Sequence, residues 1–443
     1  MEQDSRNFYT NKWKKIWDLT LPNYFNNEIE SFEYKQYRED KVTVDEKESA
    51  KYEFNIKDVN DMILYSSGYI CPELKIIKQD GSSISSDNVT LVNTGNLFSR
   101  SELHIGKTLI EEIELPNMLF FIDTSESPDK QVLIFDGPDD QSLGTKEKMD
   151  TFLKGLKKNA NYNEGFTERW ILTKNSNKIK LWIPIKQMFG FFNDFRKIIS
   201  NIDVRFVFWR NSNNDMIYTD VINPNYKVII SDISLWLPHI KLYPEPQVNF
   251  NSVSLNPSSD IEINWCSVRL IKSNVQNGSS GTIIVNTTTD EIRNIFVIPQ
   301  YQEKENDQNQ NNMIFDNLDM MRCWLRINND KYPTEDYNVS FKPGELDYSR
   351  YYFDFLAGGL NTNNTESGCL VSYTNYGRLY PIIHFDVSNH PSYNNVDNLK
   401  VEFFWQLRET PAKPYRFYFV LVEKREGIMN MYNRTFKTIK TLK

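Results

Sequence analysis

Histidine and cysteine are scarce in this chain, four of each in 443 residues, and their spacing excludes more than their number does. Cys71, Cys266, Cys323 and Cys369 stand far apart beside apolar residues, without the close-set pairs that zinc sites and redox motifs require. Buried free thiols are the expectation. His104, His239, His384 and His390 fall in no Cys/His ligand pattern. His384, Asp386 and His390 lie close enough in sequence to suggest a metal site, but Asn389 and Pro391 interrupt the regular strand that would place them on one face, which favours a structural role. Positive charge is also short. Fifty-one Lys and Arg against 59 Asp and Glu leave a formal net charge of −8, so the body is a poor binder of polyanions, whose affinity comes from cations displacing phosphate counterions. No apolar run approaches the ~20 residues that span a bilayer, and nothing after Met1 reads as a cleavable leader. Synthesis in a reducing compartment is therefore expected, with the sequons at Asn88 and Asn286 unmodified.

Catalytic signatures are missing as well. There is no Gly-x-Ser-x-Gly elbow, and Gly358-Gly359 is not followed by the Gly-Lys-Ser/Thr of a phosphate loop. Asp139-Asp140 offers paired carboxylates of the kind glycoside hydrolysis uses, yet Gly137-Pro138 before them makes a solvated turn the better account. Tyr348, Tyr351, Tyr352 and Phe353 have the composition of a sugar-stacking platform and equally of a core or subunit contact; the second is the expectation. No catalytic, cofactor-binding or metal-ligating residue is nominated, no cofactor or small-molecule substrate is expected, and the chain reads as a non-enzyme.

What the chain has in quantity is aromatic, strand-forming sequence: 14% aromatic residues, mostly Phe and Tyr, whose wide stiff side chains suit a pleated half-buried surface. Its length exceeds what one core serves, so two domains are expected. From about Val42 onward, short apolar runs are separated by Gly, Asn, Asp, Ser and Pro clusters, the spacing of an all-β sandwich. Strands are predicted around Leu74 to Ile77, within Val89–Ile110, and over Ile202–Trp209, Lys227–Leu237, Ile261–Leu270, Thr282–Asn286, Ile295–Pro299, Cys323–Ile327, Leu399–Leu407 and Arg416–Val422. In the penultimate one, Val401, Phe403, Trp405 and Leu407 share a face. Helical spacing appears only at Met149, Phe152, Leu153 and Leu156, with Thr145 placed to cap, and between Met188 and Ile199. The three prolines of Tyr243–Asp260 mark the domain boundary. The polar stretches QEKENDQNQNN from Gln302 and NTNNTESG from Asn361 read as exposed loops. The predicted division is an N-terminal arm (1–44), a first β domain (45–243), a linker (244–257), a second β domain (258–430) and a C-terminal tail (431–443).

Taken in order, several segments resemble the double jelly-roll viral major capsid lineage, particularly the compact capsid proteins of polinton-like and adintovirus-like elements, with virophages and nucleocytoplasmic large DNA viruses more remote. In the first half these are VNTGNLFSRSELHIGKTLI (Val92–Ile110), NEGFTERW (Asn163–Trp170) and WIPIKQMFGFFNDFRKII (Trp182–Ile199) leading into RFVFWR. The second half adds RCWLRINNDKYP from Arg322, continuing to Phe341, then DYSRYYFDFLAG, IIHFDVSNHP and ETPAKPYRFYFVLVEKR. The resemblance implies an all-β chain of two consecutive antiparallel eight-stranded jelly rolls with a few short helices, three copies forming a pseudo-hexagonal capsomer of an icosahedral DNA virus or virus-like element. It also implies neighbouring capsomers and minor capsid and penton proteins as partners, and a place in the virion after synthesis in the host cytoplasm. Neither half has the very long insertions that build tall towers in larger members, so short outer projections are expected. Lys12, Lys14 and Lys15 around Trp13 and Trp17 suit contact of the arm with an inner membrane or the genome. The alternative reading is a two-domain carbohydrate-binding or carbohydrate-cleaving β-sandwich protein.

Overall fold

The computed structural model describes residues 28–39, 50–57, 61–84, 87–92, 95–114, 173, 178–285, 291–342, 345–357, 371, 373–388, 390 and 400–439. The predicted helix at Met149–Leu156, the NEGFTERW and NTNNTESG segments, Asp139-Asp140, Gly358-Gly359, Cys369, Asn286 and the basic residues near Trp13 lie outside them. The first half contains β1 (Ile29–Arg38), β2 (Lys51–Ile56), β3 (Met62–Ile63), β4 (Tyr69–Lys78), β5 (Val89–Leu91), β6 (Phe98–Ile105), β7 (Thr108–Glu114), β8 (Ile179–Lys180), β9 (Ile183–Pro184), helices α1 (Ile185–Met188) and α2 (Gly190–Asp194), β10 (Val204–Arg210), α3 (Asn213–Met216), β11 (Ile217–Thr219) and β12 (Tyr226–Leu242). Helix α4 (Pro244–Ser254) leads into β13 (Ile261–Lys272), β14 (Ser280–Val285), β15 (Glu291–Tyr301), β16 (Met320–Ile327), β17 (Asp330–Tyr332), α5 (Ser349–Ala357), α6 (Tyr373–Leu379), β18 (Ile383–Asp386), β19 (Val401–Leu407), β20 (Tyr415–Asn430) and β21 (Thr435–Ile439).

The strands pair as β1-β12-β4-β8 facing β2-β10-β6-β7 in the first half, with β9 also on β4, and as β13-β20-β15-β18 facing β14-β19-β16-β17 in the second. If the eight principal strands of each half are counted in chain order, both halves have one sheet ordered 1-8-3-6 and another 2-7-4-5. All pairings are antiparallel. That order is the jelly roll, present twice.

Alternation fills the space between the sheets. In β19, Val401, Phe403, Trp405 and Leu407 are buried and the intervening residues are half-buried, as their spacing predicts. Phe403 and Trp405 meet Phe417 of β20 at ring distances of 5.1 and 5.0 Å, and the Trp405 indole N–H donates to the Tyr415 hydroxyl at 2.9 Å, so the one polar atom of that ring is satisfied. The first half has the matching layer in Phe54, Phe98, Phe206 and Phe208, with Phe189 and Phe192 closing its end. Cys71 and Cys323 are buried free thiols and Cys266 is half-buried. Burial pushes Cys71 and Cys323 up to about 12, which keeps both protonated and unreactive.

Four predicted segments take a form other than the one expected. Residues 29–38, assigned to an arm outside the first sandwich, are β1, paired along β12 with Phe32 opposite Ile240 and Tyr37 opposite Leu235. An outer strand with most side chains in solvent carries no apolar alternation to read. The helix expected between Met188 and Ile199 is two short helices broken at Phe189, whose extended backbone (φ −137°, ψ 119°) separates them. The linker is an eleven-residue helix, with Pro244 in its first turn, where the missing N–H costs nothing. The tail contains β21, which pairs with the end of β20, Phe436 opposite Met429.

Candidate functional site

The side chains at the boundary between the two jelly rolls come from loops that the strand order brings together. The tight approach is at Gly190, the first residue of α2: a Cβ there would run into the backbone carbonyl of Cys266 on β13, so only glycine fits. Beside it, Phe191 lies edge-on to Trp265 at 5.3 Å and to Phe436 at 5.8 Å, and Trp265 is also 5.8 Å from Phe436. These three buried rings, from α2, β13 and β21, form the dry centre of the seam. Hydrogen bonds rim it. Asp194 accepts the Cys266 backbone N–H at 2.7 Å, and the Thr108 hydroxyl donates to the Phe436 carbonyl at 2.5 Å.

Glu111 of β7 is buried in this seam with 1% of its surface exposed, accepting the Phe191 backbone N–H at 3.3 Å. Burial pushes its carboxyl up to about 7; the Phe191 N–H, Arg425 and Ser267 pull it down, and Asp194 pushes it further up. Across β13, Glu423 is fully buried and is held by Arg269 at 2.6 Å and Arg425 at 3.3 Å. A seam of this make-up holds the halves together, since separating them would expose three buried aromatic rings to water.

A second contact joins the halves elsewhere, and it overturns an expectation. The stretch from Gln302 to Asn312, predicted as an exposed loop, instead inserts polar side chains against the first half. Asn309 donates to the carbonyls of Thr219 and Val221 at 2.9 and 2.8 Å, and Gln308 donates to the Tyr226 carbonyl at 2.9 Å. The Thr219 backbone N–H donates to the Gln308 carbonyl at 2.8 Å, and Asn96 donates to Asn312 Oδ1 at 2.8 Å. Lys304, Gln308 and Asn311 are buried, with Lys304 paired to Asp316 at 2.8 Å. A signal was available: the segment is dominated by Asn, Gln and Asp, whose short polar ends bond backbone groups. Asn309→Ala removes both carbonyl contacts and is expected to lower stability by about 1–3 kcal/mol. Urea unfolding measures it, and an unchanged midpoint would show that this clasp carries no load.

The described residues among those weighed for chemistry have partners within the fold. His384 is buried, its Nδ1 2.9 Å from the Asp354 carbonyl and its Nε2 2.9 Å from Asn294 Oδ1; burial pushes it down to about 4. Asp386 accepts from the Ser388 hydroxyl at 2.6 Å, and His390 lies edge-on to Tyr332 at 5.7 Å, so the three potential ligands point to different partners. Among the described residues no three His, Cys, Asp or Glu side chains are grouped as a metal would need. His239 packs on Tyr37 and lies 2.9 Å from Asp61, and His104 pairs with Glu102 at 3.0 Å. Tyr348 and Tyr351 are buried, Tyr351 bonding the Cys323 N–H at 3.1 Å, while Phe353 is exposed.

Two outer faces retain aromatic surface. On the first half, Phe32 and Tyr34 of β1, Tyr69 of β4, Trp182 between β8 and β9, and Trp236 of β12 follow one another at ring distances of 5.6 to 6.1 Å across the sheet. On the second, Trp324 of β16 stacks on Phe404 of β19 at 5.4 Å, under Arg322, Arg326 and Lys331.

The comparisons with known proteins agree with the geometry. A family model for the double jelly roll-like domain matches residues 148–425. A chain of the Sputnik virophage superposes with a TM-score of 0.58 at 11% identity, covering 96% of this chain and 91% of that one. The Faustovirus major capsid protein gives 0.54 at 8% identity, covering 92% of each chain, and the mavirus major capsid protein 0.51 at 10%, covering 96% and 93%. No curated protein matches the chain. With the strand order repeated in both halves and the family model matching more than half of the chain, the chain belongs to the double jelly roll-like domain family.

Proposed function

We propose that the chain is the structural major capsid protein of an icosahedral DNA virus or virus-like element, assembling as homotrimers with a pseudo-hexagonal outline. The carrying observation is the seam: two jelly rolls of one topology are held side by side in one chain, which makes a two-lobed block that threefold rotation turns into a six-lobed ring. Similarity in fold to capsid proteins over nearly the whole chain supports that use. In this reading the partners are neighbouring capsomers, minor capsid proteins and penton proteins. The N-terminal residues before β1 reach an inner membrane or the genome, synthesis is in the host cytoplasm, the chain works in the virion, and it has no catalytic role.

Light scattering on purified protein tests the first step. A species of three times the 52.3 kDa chain mass is expected, with a hexagonal outline in negative-stain images. A single-chain mass across micromolar concentrations would count against it. The exposed rings of Tyr34 and Trp182 are what the carbohydrate-binding alternative would use; retention of a single-chain species on a glycan column would favour that reading.

A further inference from the structure

Residues 273–279 connect β13 to β14 and are fastened to the sheets on both sides of one exposed asparagine. Ser273 donates its backbone N–H to the Phe417 carbonyl at 2.9 Å, and its hydroxyl accepts the Phe417 N–H at 3.0 Å. Gln276 and Tyr415 exchange both backbone hydrogen bonds, at 2.8 and 3.0 Å. The Gly278 carbonyl accepts the Tyr415 O–H at 2.6 Å, and the Ser279 carbonyl accepts the Leu407 N–H at 2.7 Å. Asn277 lies between these fixed neighbours. Among the described residues, neither its side-chain amide nor the N–H of Gly278 has a hydrogen-bond partner.

The chain contains no other Asn-Gly pair. Without a side chain on the second residue, the backbone nitrogen can approach the asparagine carboxamide closely. The fold itself does not demand glycine here: a Cβ at position 278 would come no nearer than 3.4 Å to its surroundings, and the backbone is not in the left-handed region. Asp80-Gly81 is the contrast. There the carboxylate accepts the Ser82 N–H at 2.8 Å and the Gly81 N–H donates to the Lys78 carbonyl at 2.9 Å, so both groups that would have to react are occupied.

We propose that Asn277-Gly278 is a self-modification site, at which the asparagine converts to isoaspartate and aspartate and unfastens the Tyr415 latch. The Gly278 nitrogen attacks Cγ of Asn277: the N–Cγ bond forms, the Cγ–Nδ2 bond breaks, and ammonia leaves with the proton that the nitrogen gives up. Water then opens the cyclic imide. Addition at the main-chain carbonyl leaves isoaspartate, and addition at Cγ leaves aspartate; no other reactant is needed. Both products carry a new carboxylate. In isoaspartate the main chain runs through Cβ and Cγ and is longer by one carbon between Gln276 and Gly278, the two residues tied to Tyr415, so one of those ties has to shift. The Tyr415 hydroxyl also accepts the Trp405 indole N–H, and both residues are buried, so the change at an exposed loop reaches the layer between the sheets.

Ageing the purified full-length chain at mildly alkaline pH and mapping its peptides by mass spectrometry tests the site. The peptide holding Asn277 is expected to change before those of the other described asparagines, with isoaspartate as the main product, read by methyl transfer from a protein isoaspartate methyltransferase. Its rate is expected to rise about tenfold per pH unit, following the deprotonated fraction of the attacking nitrogen. The Asp80-Gly81 peptide is expected to stay as made. Gly278→Ala is expected to slow the change about tenfold while melting like the parent, since its Cβ crowds only the attack. Asn277→Gln, which leaves the glycine in place, is expected to slow it at least as much. In the aged protein, amide exchange at Gln276 and Tyr415 is expected to quicken about tenfold. An Asn277 that keeps its amide through the ageing, or a Gly278→Ala chain that converts as fast as the parent, overturns the site. Converted protein whose Gln276 and Tyr415 amides exchange as in the fresh chain overturns the release of the latch.

Discussion

Phe191→Ala is expected to cost about 3–5 kcal/mol, the upper range for deleting a buried aromatic ring, and to do so at the joint between the halves. Phe191 is fully buried between Trp265 and Phe436. Its neighbours cannot collapse into the space: Trp265 is fixed on a twelve-residue strand paired throughout with β20, and Phe436 on a strand paired with the same β20. A cavity therefore remains, and it lies where two bodies meet. Differential scanning calorimetry is expected to show a lower transition for the variant, broadened or split as the halves lose their coupling. A single transition within a degree or two of the parent would mean that the ring cluster does not join them.

The second large effect is on pH dependence. Glu111 has an ordinary value of 4.5 when exposed and about 7 in the folded chain. Below pH ~4.5 the carboxyl is protonated whether folded or not and costs nothing. Between about 4.5 and 7 the unfolded chain loses its proton while the folded chain keeps it, so stability falls as pH rises, and the full loss is present above 7. One pKa unit corresponds to about 1.4 kcal/mol, which puts the whole effect at roughly 3 kcal/mol. Glu111→Gln is a neutral group of the same shape and lacks the loss. Chemical denaturation at pH 4.5 and pH 8 is expected to find the two proteins similar at the lower pH and the variant more stable at the higher. The same difference at both would show that Glu111 ionises in the fold as it does in water.

Most of the fold was legible because strands with one buried face announce themselves by alternation. Val401–Leu407 is the clear case, and β20 and β12 follow from the same signal. Where both faces are solvated, or both covered, the signal disappears. Strand β1 has no buried residue and its sequence reads as an arm, and Thr435–Ile439 has only Phe436 buried and reads as a tail. The joint was harder still. Trp265 was inside a predicted strand, but nothing in its alternation says that the partner on that side is Phe191, 74 positions earlier. The clasp is hidden for a different reason: Asn309 and Gln308 are polar, and polarity marks a solvated loop and a backbone-binding insertion alike. Glu111 gave no sign in a strand whose other acids, Glu112 and Glu114, are not buried.

The contact between Thr108 and Phe436 spans 328 residues and involves one of the last strands to be made. On a ribosome adding roughly 5–20 residues each second, the first jelly roll has all its own strands some tens of seconds before the ring that covers Phe191 exists. A first lobe that folds within that interval has a bare apolar flank where Phe191 waits for its cover. Its survival in the cell depends on how fast the second lobe follows, and a pause in translation after β12 is the point of greatest exposure to chaperones and to other nascent copies.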